Sequence, residues 1–585
     1  MHWIRRGALL FSTLLALETV ASAATTGPDV LTQRNDLSRT GQNNAETALT
    51  LASVRPATFG KLLTLPVDGL VLAQPLTKRQ VTIGGALHDV VFVATEHDSL
   101  YAFDVASGAQ LWKTSYITPP SVTTEPYADT GDDPPTAGQE PLDVYPEVGI
   151  SSTPVIDPST STLYVVAKTK ESGTYRFRLH AVDITTGLDR VPNVIIQPTV
   201  AGTAADGTGT QVTLVASAHQ QRPGLLLLGG NVYVAFGSSA DNFSWHGWMV
   251  AYHANNLSFA AAWNSSPNAS EAGIWSSGEG PAVDSAGNIY VPTGNGSFDG
   301  ATSFGDSIVR LSTASGLTEA DFYAPFNQSL LSTGDDDIGS GGVVLLPDVA
   351  GTTAHPHLVA ASGKAGTIYL LDRDHLGGFN PSTTNPDAQI VQYMFSALGT
   401  TTFDNFGEPF YAPDSYSTPA FWRDAAGRNH LYWGGVGDNI KMFDLTNGLL
   451  STTPVSTSAA TFGFPGVSPS ISSNGTGNGI LWAVQHSFAN GDTVHAYDAT
   501  NLATELWNSD QAANGRDKLG AGAKFAVVTV TAGRVFVPTQ SSVVVYGLLG
   551  PPPAVPALPP AGVWVCAIVL AAGGLRALSA RRARR

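Results

Sequence analysis

The stretch 90–112, VVFVATEHDSLYAFDVASGAQLW, constrains the fold more than any other part of the chain. It reads as strand, tight turn, strand, turn, strand. Val91 and Val93, then Leu100, Ala102 and Phe103, form short apolar runs of β-forming residues. Glu96-His97-Asp98-Ser99 is a polar turn between them. Asp104 ends the second strand, Ser107-Gly108 turns the chain, and Leu111-Trp112 opens a third strand.

The same pattern is written down the whole chain. Comparable strands are VVFVAT from Val90, TLYVVA from Thr162, NVYVAF from Asn231, NIYVPT from Asn288, HLVAAS from His357, HLYWGG from His430, ILWAVQ from Ile480 and RVFVPT from Arg534. Each is preceded by a strand with Pro or Gly near its start. Each is followed by an alternating strand such as LYAFDVASG, LHAVDITTG or IKMFDLTNG. The spacing varies by tens of residues, which places insertions in the loops of some units.

A small antiparallel sheet of three or four strands cannot bury both faces by itself. Stacked face to face around an axis, such sheets bury one another and leave only short edges. The last unit lacks a fourth strand after VVVYGLL, whereas Phe59 to Val67, FGKLLTLPV, is a strand without a unit. Pairing the two closes a ring. The prediction is an all-β, eight-bladed β-propeller, or a seven-bladed one if a degenerate repeat belongs to a loop. An open solenoid would need polar capping repeats, and none is seen.

Composition agrees. Charged residues make up only 13% of the chain, with 61 Gly and 37 Pro, which suits many short strands and turns rather than helices. The formal net charge is −17, and the charged residues of the two ends are almost all arginines, so the middle is more acidic still. Such a surface repels nucleic-acid phosphates and anionic lipid headgroups, and it favours neutral or cationic partners or simple solubility. The only cysteine is Cys566, so the folded middle has neither a disulfide nor a thiol ligand or nucleophile.

The ends read as targeting segments. Residues 1–23 resemble a signal peptide, with Arg5-Arg6, an apolar run from Ala8 to Leu17, and Ala21-Ser22-Ala23 at the cleavage position. Residues 24–58 form a polar, irregular N-terminal extension, and 59–549 the propeller. Residues 550–560 are a Pro-rich linker. Residues 561–585 are a hydrophobic helix with a basic tail, just long enough to span a membrane with its arginines inside. The expected location is therefore outside the cytoplasm, periplasmic or extracellular, held or sorted through this tail.

The repeat, an apolar strand, a small turn, LYAFD, a Gly and then LW, resembles the pyrroloquinoline quinone (PQQ)-type propeller repeat of the quinoprotein alcohol dehydrogenase-like superfamily. The copies at 90–112, 179–187, 440–448 and 494–507 carry the resemblance, which extends over most of 59–548. The order of Pro motif, apolar helix and Arg cluster resembles bacterial sorting tails of the PEP-CTERM and IPTL-CTERM kind. Val555-Pro556-Ala557-Leu558-Pro559 stands where their short motif does but departs from both patterns.

The enzymatic branch of the resembled family implies a quinone on the axis, stacked on a Trp beneath a disulfide of adjacent cysteines. It also implies a calcium held by Glu, Asn and Asp oxygens, and an Asp general base. The disulfide is impossible here, and no Cys-X-X-Cys-His haem site exists. Two loops offer what remains. In TGDDDIGSGG (333–342), Asp335, Asp336 and Asp337 could give oxygens to calcium, with Asp335 and Asp337 the candidate metal ligands; the alternative is a solvated acidic turn. In GIWSSGEGP (273–281), Trp275 could be a stacking platform and Glu279 a ligand or base; the alternative is a packed loop. GISSTP from Gly149 and GVSPS from Gly466 echo this second loop, which favours a shared structural role at one end of several blades. His355-Pro356-His357 has no further metal ligands in view, and no nucleophile elbow or phosphate-binding loop is present.

The sequence therefore points to an exported binding or scaffold module. Its partner would be an envelope protein or a small molecule, met through the funnel and the Pro- and acid-rich insert 118–148, with the chain acting as a monomer. A PQQ- and calcium-dependent quinoprotein oxidoreductase, or a diverged inactive relative, is the alternative. A hydrolase or lyase lacks any motif.

Overall fold

The computed structural model describes residues 27–131, 144–205, 207–241, 244–399, 414–487 and 490–550. The expected signal segment 1–23 and the expected hydrophobic tail 561–585 lie outside them. Among the described residues no helix is long and apolar enough to cross a membrane.

The chain forms eight antiparallel sheets that follow one another in sequence: 76–115, 155–195, 226–264, 282–324, 343–394, 420–462, 470–508, and 529–548 joined by 59–66. These are blades 1 to 8, and the eight-bladed expectation holds. Blade 1 shows the plan, with strands Leu76–Ile83, Ala86–Thr95, Ser99–Asp104 and Gln110–Ser115 paired in that order. The upper face carries the connections between blades and the turns between second and third strands. The lower face carries the other two turns.

Strand alternation builds the core. Val90, Phe92 and Ala94 point into a buried cluster shared with Leu163 and Val165 of blade 2, whereas Val91 and Val93 point into one shared with Val543 and Val545 of blade 8. Every junction between neighbouring blades has such a cluster. This is the period-two pattern of a strand buried on both faces.

The residues that make the repeat recognisable are structural. The Asp closing the third strand of blades 1, 2 and 7 accepts a backbone N–H two or three residues on: Ser107 N–H to Asp104 at 2.8 Å, Thr185 N–H to Asp183 at 2.8 Å, Thr500 N–H to Asp498 at 2.9 Å. The Trp of LW docks on the next blade. Trp112 donates Nε1–H to the Ile184 carbonyl at 3.0 Å, and its ring lies over Gly187, where any Cβ would fall 2.7 Å from the indole.

Ring closure is the pairing expected for the orphan strand. Phe59–Pro66 runs antiparallel to Ser542–Leu548, supplying the outer strand of blade 8. Phe59 is fully buried between Trp482 and Trp507, at centroid distances of 5.5 and 4.9 Å.

The N-terminal extension is more ordered than its irregular sequence suggests. Residues 30–43 wind once around the axis inside the ring. Val30 exchanges both backbone hydrogen bonds with Thr77 of blade 1, and Leu31 accepts from Ile156 of blade 2 at 2.8 Å. Leu37 then accepts from Val283 of blade 4 at 2.8 Å, Ser38 from Leu345 of blade 5 at 3.0 Å, and Thr40 from Phe421 of blade 6 at 2.9 Å. Gln42–Asn43 pairs as a short parallel strand with Ile471 and Ser472 of blade 7, and Asn43 Nδ2 donates to Val530 of blade 8 at 2.7 Å. The inner edges, which in an open channel would be left to water, are thus met by this strap.

Candidate functional site

The connections between blades converge above the strap and form a funnel that opens on the upper face. Its throat is a narrow cleft of about 20 Å³, open to solvent, between Gln33 of the strap, Gln74, Thr153, Arg222, Ser277 and Phe525. A second cleft, also about 20 Å³, lies beside it between Tyr416, Val467, His486 and Phe525. Phe525 divides the two and stands in the left-handed region, φ 59°. GISSTP, GIWSSGEGP and GVSPS all fall on this face, just before first strands, so the shared placement expected for them holds.

Trp275 lies on the upper side. Its indole is seated against three glycines. A Cβ on Gly237 would fall 2.6 Å from Nε1, one on Gly273 2.7 Å from Cη2, and one on Gly294 would collide with Cζ3. Trp245 packs against it edge to face at 5.1 Å. The ring is half-buried, so the seat leaves part of it accessible.

Glu279 points the other way. Ser276 and Ser277, both left-handed at φ 50° and 49°, turn the chain between them and send Glu279 down to the strap. There its carboxylate lies 3.4 Å from Nε of Arg34, both side chains buried. Arg34 also donates to the carbonyls of Pro469 at 2.5 Å and of Pro419. Burial pushes the Glu279 carboxyl up to about 8, an effect that Arg34 only partly offsets. Trp275 and Glu279 are therefore neighbours in sequence but face different compartments.

The acidic loop meets a lysine. A short helix, Gln328–Gly334, ends with Asp335 in the left-handed conformation, φ 56°. This turn brings Asp335 and Asp337 to the same ammonium: Lys364 Nζ is 2.8 Å from each. Asp337 is buried and its carboxyl is pushed up by burial, with Lys364 opposing. Burial works against the Lys364 charge, but Asp337 and Asp335 hold its pKa well above the ordinary lysine value. Around this centre stand Asp306, buried and raised well above the usual range by burial and by Asp337, and Asp414, raised by burial to about 7. One oxygen each of Asp306, Asp337 and Asp414 has no hydrogen-bond partner among the described residues.

Aromatic rings and cations alternate across the funnel. Tyr416 contacts Phe464 at 5.4 Å and Phe525 at 6.1 Å. Lys364, Lys524 and Arg222 lie over Tyr416, Phe464 and Phe525 at 6.0, 5.6 and 5.6 Å. The acidic balance of the whole chain is thus not the chemistry of its funnel. Sequence reasoning missed these cations and aromatics and the two arginines of the strap, Arg34 and Arg39. Lys364 carried a usable signal, since it occupies an upper-face turn in a chain with few basic residues.

A second buried polar group lies between blades 1 and 2. Lys168 pairs with Glu125 and donates to the His219 carbonyl at 2.9 Å. Asp98, in the first upper turn, is fully buried with neither oxygen hydrogen-bonded among the described residues. Burial, then Glu96 and Glu147, raises its carboxyl well above the usual range.

No family model and no curated protein matches the sequence. Solved structures do match. The quinohemoprotein alcohol dehydrogenase of Comamonas testosteroni superposes with TM-score 0.57 at 13% identity, over 92% of this chain and 83% of the other. A europium-containing methanol dehydrogenase gives 0.54 at 13% identity, over 89% and 98%. A quinohemoprotein alcohol dehydrogenase from Pseudomonas putida HK5 gives 0.52 at 14%, over 91% and 83%. The chain shares the fold of these dehydrogenases. At such identities the likeness reaches the propeller and no further.

The residues present do not fit a calcium site. Among the described residues no group of three His, Cys, Asp or Glu side chains is arranged to hold a metal. Asp335 and Asp337 already share the Lys364 ammonium, and Glu279 faces Arg34 beneath the throat.

Proposed function

We propose that the chain is a ligand-binding propeller of the cell envelope rather than a calcium-dependent quinoprotein dehydrogenase. The observation that carries this reading is the Lys364 ammonium held between Asp335 and Asp337, the two residues offered as metal ligands. A site with a built-in monovalent cation has positive charge but no open coordination position for polarising a substrate oxygen.

The ligand class follows from the walls. The throat presents Gln33, Gln74, Thr153, Ser277 and the Arg222 cation beside the ring of Phe525. That mixture suits a small, hydroxyl-bearing molecule with one flat apolar face.

The tethering also bears on the reading. Gly27 packs against Ala532, in the lower turn of blade 8, and Leu549 N–H bonds the carbonyl of Thr58 where the third strand of that blade reaches the same face. Both ends of the propeller therefore leave from the lower face. If the tail 561–585 anchors the chain, the funnel is turned away from the membrane, towards soluble ligands or envelope partners.

The test is titration of the exported chain with PQQ, with and without calcium, followed by quinone absorbance, beside a panel of neutral sugars and polyols followed by thermal shift. The reading expects no calcium-dependent quinone binding and a saturable shift from at least one polyol. Calcium-dependent, saturable quinone binding, with reduction of the quinone by an alcohol, would overturn it.

A further inference from the structure

The strap is held the way a bound peptide is held. Its contacts with blades 1, 2, 4, 5, 6 and 7 are made by its own backbone, in chain order, against the exposed inner edges of first strands. Its specificity comes from two guanidinium seats. Arg34 reaches the carbonyls of Pro469 and Pro419 and the carboxylate of Glu279. Arg39 donates Nε–H to Pro281 at 3.0 Å and Nη1–H to the strap's own Gln33 carbonyl and Thr32 hydroxyl at 2.7 and 2.8 Å.

Both seats are shaped for these side chains. A Cβ on Gly41 would fall 2.5 Å from Nη2 of Arg34, and one on Gly280 2.6 Å from Nη2 of Arg39. The strap bends at Arg34, Asn35, Arg39 and Gly41, all with φ between 59° and 74°. Non-glycine residues hold that conformation only when the surroundings over-determine it, which the two seats do. On the C-terminal side the strap leaves through a turn whose residues Arg55, Pro56, Ala57 and Thr58 are exposed. The covalent link to blade 8 therefore runs outside the seats.

We propose that residues 27–46 are a separable ligand of the ring: the axial channel is a binding site for an extended peptide carrying two arginines five residues apart, filled here by the chain's own N-terminus. The strap crosses the channel near the starts of the first strands and supplies Gln33 to the lining of the throat.

The experiment uses the full exported chain with a protease recognition sequence inserted between Pro56 and Ala57. The protein is folded and then cut, and exchange of the N-terminal fragment is followed with a fluorescent peptide of residues 27–46. The expected result is that the cut fragment stays bound and exchanges slowly for the labelled peptide, in a saturable manner. The peptide carrying Arg34→Ala and Arg39→Ala should compete about 100-fold more weakly, given the cost of leaving one partner of a buried pair alone. In the uncut chain, Gly280→Ala, which narrows the Arg39 seat without altering the strap, should lower Tm by about 2 °C. The proposal is overturned if the cut fragment leaves with no change in Tm, if the labelled peptide never enters, or if the two peptides compete equally. An unchanged Tm for Gly280→Ala would equally count against the Arg39 seat. None of these results depends on which ligand the funnel takes.

Discussion

Lys364 and Asp337 are joined twice: the ammonium meets the carboxylate at 2.8 Å, and the Lys364 backbone N–H donates to the Asp337 carbonyl at 3.0 Å. The second bond fixes the turn that carries the lysine, so the side chain is aimed before the charge acts. Asp335 adds a partner on the solvent side, 63% exposed and thus weaker.

Lys364→Ala should therefore cost about 3 kcal/mol, most of it from leaving buried Asp337 unpaired rather than from the lost attraction itself. It should also empty a position ringed by carboxylates. The variant, unlike the parent, should regain part of its Tm on addition of millimolar calcium. Thermal melts of both chains with and without the metal check this. A calcium response in the parent of equal size would remove the lysine's claim to the site.

The Arg34–Glu279 contact gives a pH signature. Glu279 is raised from 4.5 to about 8, so between those values the folded chain holds a proton that the unfolded chain has released. Stability from this group is therefore present at low pH and lost as pH rises, by up to about 5 kcal/mol in all. Glu279→Gln removes the dependence. The difference in Tm between variant and parent should move in the variant's favour from pH 5 to pH 8, and melts across that range measure it.

His219 works in the opposite direction. Burial lowers it from 6.5 to about 4, so below pH 6.5 the unfolded chain takes up a proton that the folded chain refuses. Its contribution is full above 6.5 and lost as pH falls towards 4, about 3 kcal/mol at most. His246, whose backbone N–H donates to His219 Nε2 at 3.2 Å, is lowered in the same sense. His219→Gln should flatten the acid limb of the stability curve between pH 6.5 and 4, as denaturant titration at each pH will read.

Blade number and closure were legible because they are written in side-chain alternation. Val90 to Ala94 face two clusters in turn, and every repeat says the same. The strap was not, because backbone groups hold most of it, and residues 27–46 have neither period. The candidate site was half legible. Trp275 is seated against Gly237, Gly273 and Gly294, whereas Glu279, four residues on, is turned beneath by two left-handed serines that no pattern announces. Asp335 and Asp337 were read, with Asp336, as oxygen donors of one acidic loop. Their lysine comes from the next upper turn, and only the packing of blade 5 brings it there.

The closing strand supports a last prediction. Phe59 fills the space between Trp482 and Trp507 with none of its surface exposed, and it stands at the end of the pairing that joins the chain's two ends. Phe59→Ala removes a buried ring from a site whose neighbours are rigid indoles that cannot collapse into it, so the loss should reach about 3–5 kcal/mol. Because the strand also closes the ring, the damage should be local as well as global. Hydrogen exchange should speed first in 59–66 and 542–548, ahead of blades 3 and 4 on the far side. Phe59→Leu, which keeps most of the volume, should recover more than half of the loss. Uniform acceleration across all eight blades would show that the ring opens elsewhere.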